Sequence, residues 1–437
     1  MTNKKVALLG CGNFGGAHAK ELTGMGCLKY IVDTDPSKIK IADELGRVEV
    51  SDELHVGFIG GHDITRSIEI LRDSCGEPYA HIITDYANRK CPGDWRFYDE
   101  ITHELVNETD TWDIATNTPS HFPLMLIGLW NGKDVFVEKP PAERVSELAY
   151  VTKRVPGLSK TKVGVDYTEM AHPVVQATKD DLDFEPRYSF NRRSKDLRNA
   201  VERGMGGGEG SRIILENLVH DLSEIDVFRK RAYGKSLAEV SPEVAGARIQ
   251  CWHELPERRN GKPKYPYSTD VRAKFVLRFP DGMISEIEGG FADPERRQFV
   301  LTDEEGKVAI YGNTLTRPNI SPIAARVEGK KNVEYVLEKV KNGVIRNNTT
   351  QDKMLKRTNA ETLEESMNKY VPERKWVDGE PMYGEAPLYN MLENFLNAGS
   401  NSELICPLER ALEYQRVAEH VYRKAGKPGA MIFRIVR

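Results

Sequence analysis

The chain has 437 residues, 39% of them apolar and 29% charged, with a formal net charge of −4. That length exceeds what one compact core usually accommodates, so two domains are expected, and the near-balanced charge gives no electrostatic reason to bind nucleic acid or an anionic membrane. No stretch approaches the ~20 apolar residues of a membrane-spanning helix and no secretory leader pattern is read, so a cytoplasmic location is expected.

The first third alternates short apolar runs with helical patterns. Strands are expected at residues 5–9, 28–32, 112–116, 134–138 and 162–165. Helices are expected at 15–25, 37–45, 121–130 and from Pro141 through Val155. Such alternation predicts parallel βαβ units with helices on both sheet faces. The second half reads differently, with strands at 187–191, 245–253, 271–279, 282–291, 298–302 and 306–311. Turn signals such as Pro280-Asp281-Gly282 and Glu304-Glu305-Gly306 separate them, which predicts a large, mostly antiparallel open sheet. Helices close the chain at 388–396 and 408–425, and another is expected near 332–341. Residues 50–110 and 317–380 are longer than ordinary connections and read as insertions. The expected division is 1–167 for the first domain and 168–437 for the second.

The six cysteines, at 11, 27, 75, 91, 251 and 406, include no C-x-x-C pair and none beside a histidine at ligand spacing. Neither a metal site nor a disulfide framework is expected.

The strongest local signal is Gly10-Cys11-Gly12-Asn13-Phe14-Gly15, a G-x-G-x-x-G that directly follows a strand and opens a helix. Gly10 would permit the tight turn, Gly12 a close approach of backbone to a pyrophosphate, and Gly15 close helix–strand packing. The helix start would offer N–H groups and partial positive charge to the phosphates. Asp33 follows the second strand about twenty residues on, where an acid accepts hydrogen bonds from ribose hydroxyls. Because it would also repel a 2′-phosphate, NAD is expected rather than NADP.

Two further segments, Asp113-Ile114-Ala115-Thr116-Asn117-Thr118-Pro119-Ser120-His121 and Gly132-Lys133-Asp134-Val135-Phe136-Val137-Glu138-Lys139-Pro140, complete a pattern. Together with the fingerprint they resemble the Gfo/Idh/MocA oxidoreductases, which include glucose–fructose oxidoreductase and inositol dehydrogenases. Glu-Lys-Pro after a strand is the most specific mark. The resemblance extends through residues 163–167, the Gly206-Gly207-Gly208 to His220 segment, the strands from 269 to 312 and the closing helices. It implies an N-terminal Rossmann domain and a C-terminal α/β domain whose sheet forms a homodimer or homotetramer interface. It also implies a small carbohydrate-like substrate above the nicotinamide, with Lys139 and His220 in the active site. Thr116, Thr118, Pro119, His121, Glu138 and Lys139 would border the cofactor with Asn13 and Phe14, and Tyr167 the substrate.

A neutral imidazole at His220 suits removal of a hydroxyl proton near pH 7, while Lys139 could hold the substrate oxygen and join a proton relay. Glu216 lies four residues before His220, so in a helix the two would share a face. It stands where the family usually carries Asp. Arg193 lies in a basic cluster with Arg192, Lys195 and Arg198, which would suit an anionic group on the substrate; a solvated basic edge is the other reading. Capping the next helix is an alternative for His121, and packing is one for Tyr167. The expected activity is hydride transfer between NAD and a sugar, sugar derivative or inositol. A glycoside hydrolase or eliminase using transient oxidation with tightly bound NAD, or a non-catalytic NAD-binding regulator, are the alternatives.

Overall fold

The computed structural model describes residues 4–33, 55–58, 103–154, 160–180, 182–194, 217–252, 269–290, 296–303, 308–312, 323–327, 356–357 and 386–426. The expected helices at 37–45 and 332–341 lie outside these residues. The chain divides into two compact units.

The first unit contains a six-stranded parallel sheet in the order β3-β2-β1-β4-β5-β6. These strands are β1 (Val6–Leu9), β2 (Leu28–Asp33), β3 (His55–Phe58), β4 (Thr111–Ile114), β5 (Asp134–Glu138) and β6 (Val163–Asp166). Every side chain of β1 is fully buried, as expected of a central parallel strand covered on both faces. Helices α1 (Asn13–Gly24), α2 (His103–Glu108), α3 (Thr118–Trp130) and α4 (Val145–Arg154) join the strands. Gly128 of α3 lies over Trp112 and Val135, where an added Cβ would come within 2.9 Å of Val135 Cγ2. Residues 121–129 of α3 are all buried, so this helix is enclosed on every face.

β3 is an edge strand drawn from the stretch read as an insertion at 50–110, so part of that stretch belongs to the sheet itself. Likewise α8 (Ala386–Asn397), grouped with residues 168–437 in the sequence reading, packs within the first unit from Leu388 onward. Phe395 meets Phe136 at a 5.2 Å ring separation. The Lys162 ammonium caps the helix end by donating to the carbonyls of Phe395 and Ala398, at 2.6 and 2.5 Å.

The second unit contains an eight-stranded sheet in the order β14-β13-β12-β11-β7-β10-β9-β8. Its strands are β7 (Tyr188–Ser194), β8 (Glu243–Trp252), β9 (Thr269–Arg278), β10 (Ile284–Gly290), β11 (Arg296–Thr302), β12 (Val308–Gly312), β13 (Ile323–Val327) and β14 (Lys356–Arg357). All neighbours are antiparallel except β7 and β10, which run parallel. β13 and β14 come from the second presumed insertion, 317–380, and extend this sheet. Gly282 turns the chain from β9 to β10 at φ +89°, a conformation that favours glycine. The unit's helices are α5 (Pro173–Asp180), α6 (Val219–Tyr233), α7 (Leu237–Val240) and most of α9 (Leu408–Lys424). α6 is buried from Val219 to Arg229 and ends at Gly234, whose φ of +67° supplies a left-handed C-terminal stop.

Candidate active site

The cofactor cradle is built by backbone. Strand order reverses between β1 and β4, the switch point where parallel α/β sheets open a crevice. Gly10 stands there with φ +90°, and a Cβ on it would come 2.7 Å from Thr116 Cγ2 and 2.8 Å from the Ala115 carbonyl. A Cβ on Gly15 would lie 2.1 Å from the Gly10 carbonyl oxygen, so helix and turn close only around glycine. Gly12 is different, because among the described residues a Cβ there would meet nothing within 4 Å. The backbone at Gly12 thus stands clear of the described residues on the side where a side chain would project. Among the described residues no side chain caps the start of α1, and its first turn carries no acidic residue. These features fit a pyrophosphate held by helix N–H groups.

Asp33 ends β2, and its Oδ2 accepts a 2.5 Å hydrogen bond from the Cys11 N–H, tying the acid to the glycine turn. Phe14 is 54% exposed at the start of α1, an unusual position for a large apolar ring. Asn13 begins α1, and Thr116 and Thr118 flank the turn into α3, with Pro119 in that helix's first turn.

His121 is buried, and its two ring nitrogens face the carbonyls of Pro140 at 2.8 Å and Thr116 at 3.0 Å. Burial lowers its pKa while both carbonyls pull the other way. This residue clamps the β4–α3 turn to the Glu-Lys-Pro loop, and neither ring nitrogen caps α3. Glu138 is also buried. One of its oxygens accepts the Lys139 N–H at 3.0 Å and the other meets His18 at 3.2 Å. Lys139 itself is half-buried, before the cis peptide to Pro140. Tyr167 is wholly buried at the end of β6, and burial raises its phenol pKa well above the ordinary value.

In the second unit, His220 is the second residue of α6 and is 7% exposed. Glu216, together with Lys195 and Arg198, lies outside the described residues. Arg193 departs from the expectation of a substrate-binding group. It is buried, and its guanidinium reaches Glu224 at 2.7 Å, Glu169 at 3.0 Å and Asp221 at 3.5 Å. Its charge is outnumbered by carboxylates of its own unit. Neighbouring Arg192 points to the opposite sheet face, where it pairs with Glu288 at 3.0 Å. Strand alternation therefore divides what the sequence presents as one basic cluster.

The sequence reading missed His18, Asp113 and Asp166, which assemble around Glu138. His18 Nδ1 lies 2.8 Å from Asp113 and its Nε2 lies 3.5 Å from Asp166. The only sequence signal was polar residues interrupting buried runs in α1, β4 and β6.

A family model for the Gfo/Idh/MocA oxidoreductases, described as "Oxidoreductase family, NAD-binding Rossmann fold", matches residues 4–167. Those residues belong to that family. The first unit is accordingly an NAD-binding Rossmann fold of an oxidoreductase. No curated protein matches the chain's sequence. Similar solved structures include UDP-N-acetylglucosamine 3-dehydrogenase GnnA from Acidithiobacillus ferrooxidans, at 13% identity and a TM-score of 0.57, with 99% of this chain and 100% of that one covered. A levoglucosan dehydrogenase in complex with NADH and L-sorbose gives 15% identity and a TM-score of 0.58, covering 98% and 97%. An oxidoreductase from Agrobacterium radiobacter in complex with NAD+, L-tartaric acid and magnesium gives 14% and 0.56, covering 97% of each chain. At these identities the likeness establishes a shared fold across both units. Among the described residues no helix is long and apolar enough to cross a membrane.

Proposed function

We propose that this chain is an NAD-dependent dehydrogenase or reductase acting on a CH–OH or carbonyl carbon of a sugar, sugar derivative or inositol. Residues 1–167 bind the cofactor, and 168–437, apart from the segment Leu388–Ala411 that packs within the first unit, supply the substrate-binding and oligomerisation domain. The observation that carries this reading is the uncovered Gly12 backbone at the β1/β4 switch point, on the same sheet edge as the Glu138-Lys139-Pro140 loop. Sugar-directed dehydrogenases among the similar folds support the substrate class.

Bound NAD supplies the hydride acceptor or donor. Gly10, Gly12, Asn13 and Gly15 hold its pyrophosphate, Asp33 accepts from its adenosine ribose, and the Phe14 ring covers it. Thr116, Thr118, Pro119 and His121 shape the groove wall. Lys139 donates an N–H to the substrate oxygen, orienting the reacting carbon. The imidazole of His220 takes the hydroxyl proton during oxidation and returns it during reduction, and Glu216 orients that ring or the substrate. Oligomerisation through the second sheet belongs to the same reading. The sheet face opposite Arg193 carries Arg192, Lys274, Glu286 and Glu288 in ion pairs at 2.5–3.8 Å, so an interface there is polar.

The test is nicotinamide absorbance during incubation with NAD and a panel of sugars, sugar phosphates, uronic acids and inositols. Substrate-dependent reduction is expected, with Lys139→Ala lowering it about 10²–10⁴-fold. Gly12→Ala should weaken NAD binding while leaving unfolding free energy within about 0.5 kcal/mol of wild type, since no described residue lies within 4 Å of the new methyl. Reduction that persists unchanged in Lys139→Ala sinks the assignment.

A further inference from the structure

The three acids Asp113, Glu138 and Asp166 come from three different strands, yet they converge. Glu138 and Asp166 are paired residues of neighbouring strands β5 and β6. Asp113 pairs with Phe136, two residues before Glu138, so all three project to the same sheet face. α1 covers that face and inserts His18 between them. Nδ1 of His18 meets Asp113 Oδ2 at 2.8 Å, while Nε2 meets Glu138 Oε1 at 3.2 Å and Asp166 Oδ2 at 3.5 Å. His18, Asp113, Glu138 and Asp166 are all within 9% of complete burial. Oδ1 of Asp113 and Oδ1 of Asp166 have no hydrogen-bond partner among the described residues.

Fully ionised, three carboxylates around one imidazolium would leave two uncompensated negative charges inside the protein. Burial makes that arrangement far more costly than keeping a proton on one of the acids. Glu138 has an outlet for its remaining charge, because its Oε2 accepts the Lys139 N–H. We propose that His18, Asp113, Glu138 and Asp166 form a buried network that retains a proton beyond the imidazolium's own and, through Glu138, positions the backbone of Lys139. His18, Asp113 and Asp166 are thus positioning residues that act through Glu138. The link to catalysis rests on the proposed role of Lys139, whereas the retained proton does not.

The electrostatic directions agree with this geometry. Burial opposes charge on His18, but Asp113, Asp166 and Glu138 together raise its pKa well above the usual histidine value. Burial and the neighbouring Glu138 and Asp113 charges push Asp166 up to about 7, against a pull from His18. Asp113 is also raised, chiefly by burial, whereas Glu138 is lowered because His18, Lys139 and His121 outweigh its burial. Cys27 and Tyr167, the other titratable groups in electrostatic contact with these acids, are both pushed upward and stay neutral through this range.

The three raised groups of the network, His18, Asp113 and Asp166, bind their protons more tightly in the folded chain than in the unfolded one. Their contribution to stability is complete at low pH and disappears as pH rises through the folded values. For Asp166 that interval runs from about 4, the unfolded value, to about 7. Asp166→Asn removes this titration. The melting temperature of the cofactor-free Asp166→Asn protein, minus that of wild type, should therefore increase from pH 5 to about pH 7 and level off above it. In nitrogen-15 spectra the His18 ring should remain doubly protonated at pH 8 in wild type and lose a proton below that pH in Asp113→Asn. In turnover with a substrate that the sugar and inositol panel yields, Glu138→Gln should lower kcat about 100-fold by loosening Lys139, with the NAD dissociation constant changed less than threefold. Asp166→Asn should shift the neutral limb of the kcat profile.

A pH-independent melting difference together with a neutral His18 at pH 8 overturns the network. So does one tightly held divalent ion per wild-type chain that Asp166→Asn loses, because His18, Glu138 and Asp166 also stand at ligand spacing. If the melting and ring results hold but no substrate reduces NAD, the oxidoreductase reading fails alone. If NAD is reduced but those two results fail, the network fails alone.

Discussion

Each unit buries one cation among three carboxylates, and the two clusters behave differently. His18 in the Rossmann unit meets Asp113, Glu138 and Asp166; Arg193 in the second unit meets Glu169, Asp221 and Glu224. The guanidinium keeps its charge at every accessible pH and donates from Nε, Nη1 and Nη2 in three fixed directions, one for each acid. The imidazole offers only two N–H groups to three acids and can lose its charge. Arg193 accordingly fastens the start of α6, through Asp221 and Glu224, to β7. Its surroundings lock one arrangement. The His18 cluster responds to pH, which suits a region bordering the proposed chemistry. The same charge count yields a fixed fastening or a titrating network, depending on how many directions the cation can serve.

The comparison is broken most severely by Arg193→Met, which strands three carboxylates. A loss of about 3–5 kcal/mol in denaturant unfolding is expected; a loss below about 1 kcal/mol would mean that the guanidinium is not the fastening described. His18→Gln should cost less, roughly 2–3 kcal/mol at pH 5.5, and distinctly less at pH 8, because a histidine with a raised pKa contributes fully below its unfolded value and loses that contribution as pH rises. An equal cost at both pH values would contradict the contrast between the clusters. Arg193→Lys retains the charge but not the fork, so a penalty of about 1–2 kcal/mol is expected, constant from pH 6 to pH 8 in paired melts. The smallest effect belongs to Arg192→Ala. Its partly exposed pair with Glu288 should be worth less than about 1 kcal/mol, and that value should shrink in high salt.

Arg192 and Arg193 also show where sequence reading stops. As neighbours in a basic run they looked like one anion-binding feature. In a strand they face opposite sides of the sheet, and which face is buried depends on α6, whose covering role had no signal in β7 itself. His18 is a parallel case. It lies 95 positions from Asp113 and 120 from Glu138, and no local spacing joins them. The stretches read as insertions concealed β3, β13 and β14 because strands added at a sheet edge need only a few residues to pair.

By itself the sequence determined the features written in local backbone chemistry. These are the glycine turn opening α1, the acid ending β2, the strand before Glu138-Lys139-Pro140, and the change from parallel to mostly antiparallel sheet. Each depends on residues close together in the chain, where glycine's missing Cβ, strand alternation and turn residues act directly. Tertiary structure alone decided which charges meet. The pairing register of β4, β5 and β6 brings three acids under one histidine, and the packing of α6 on β7 turns a presumed substrate arginine into a fastening. Those outcomes follow from burial and charge compensation across distant segments, which no single stretch of chain carries.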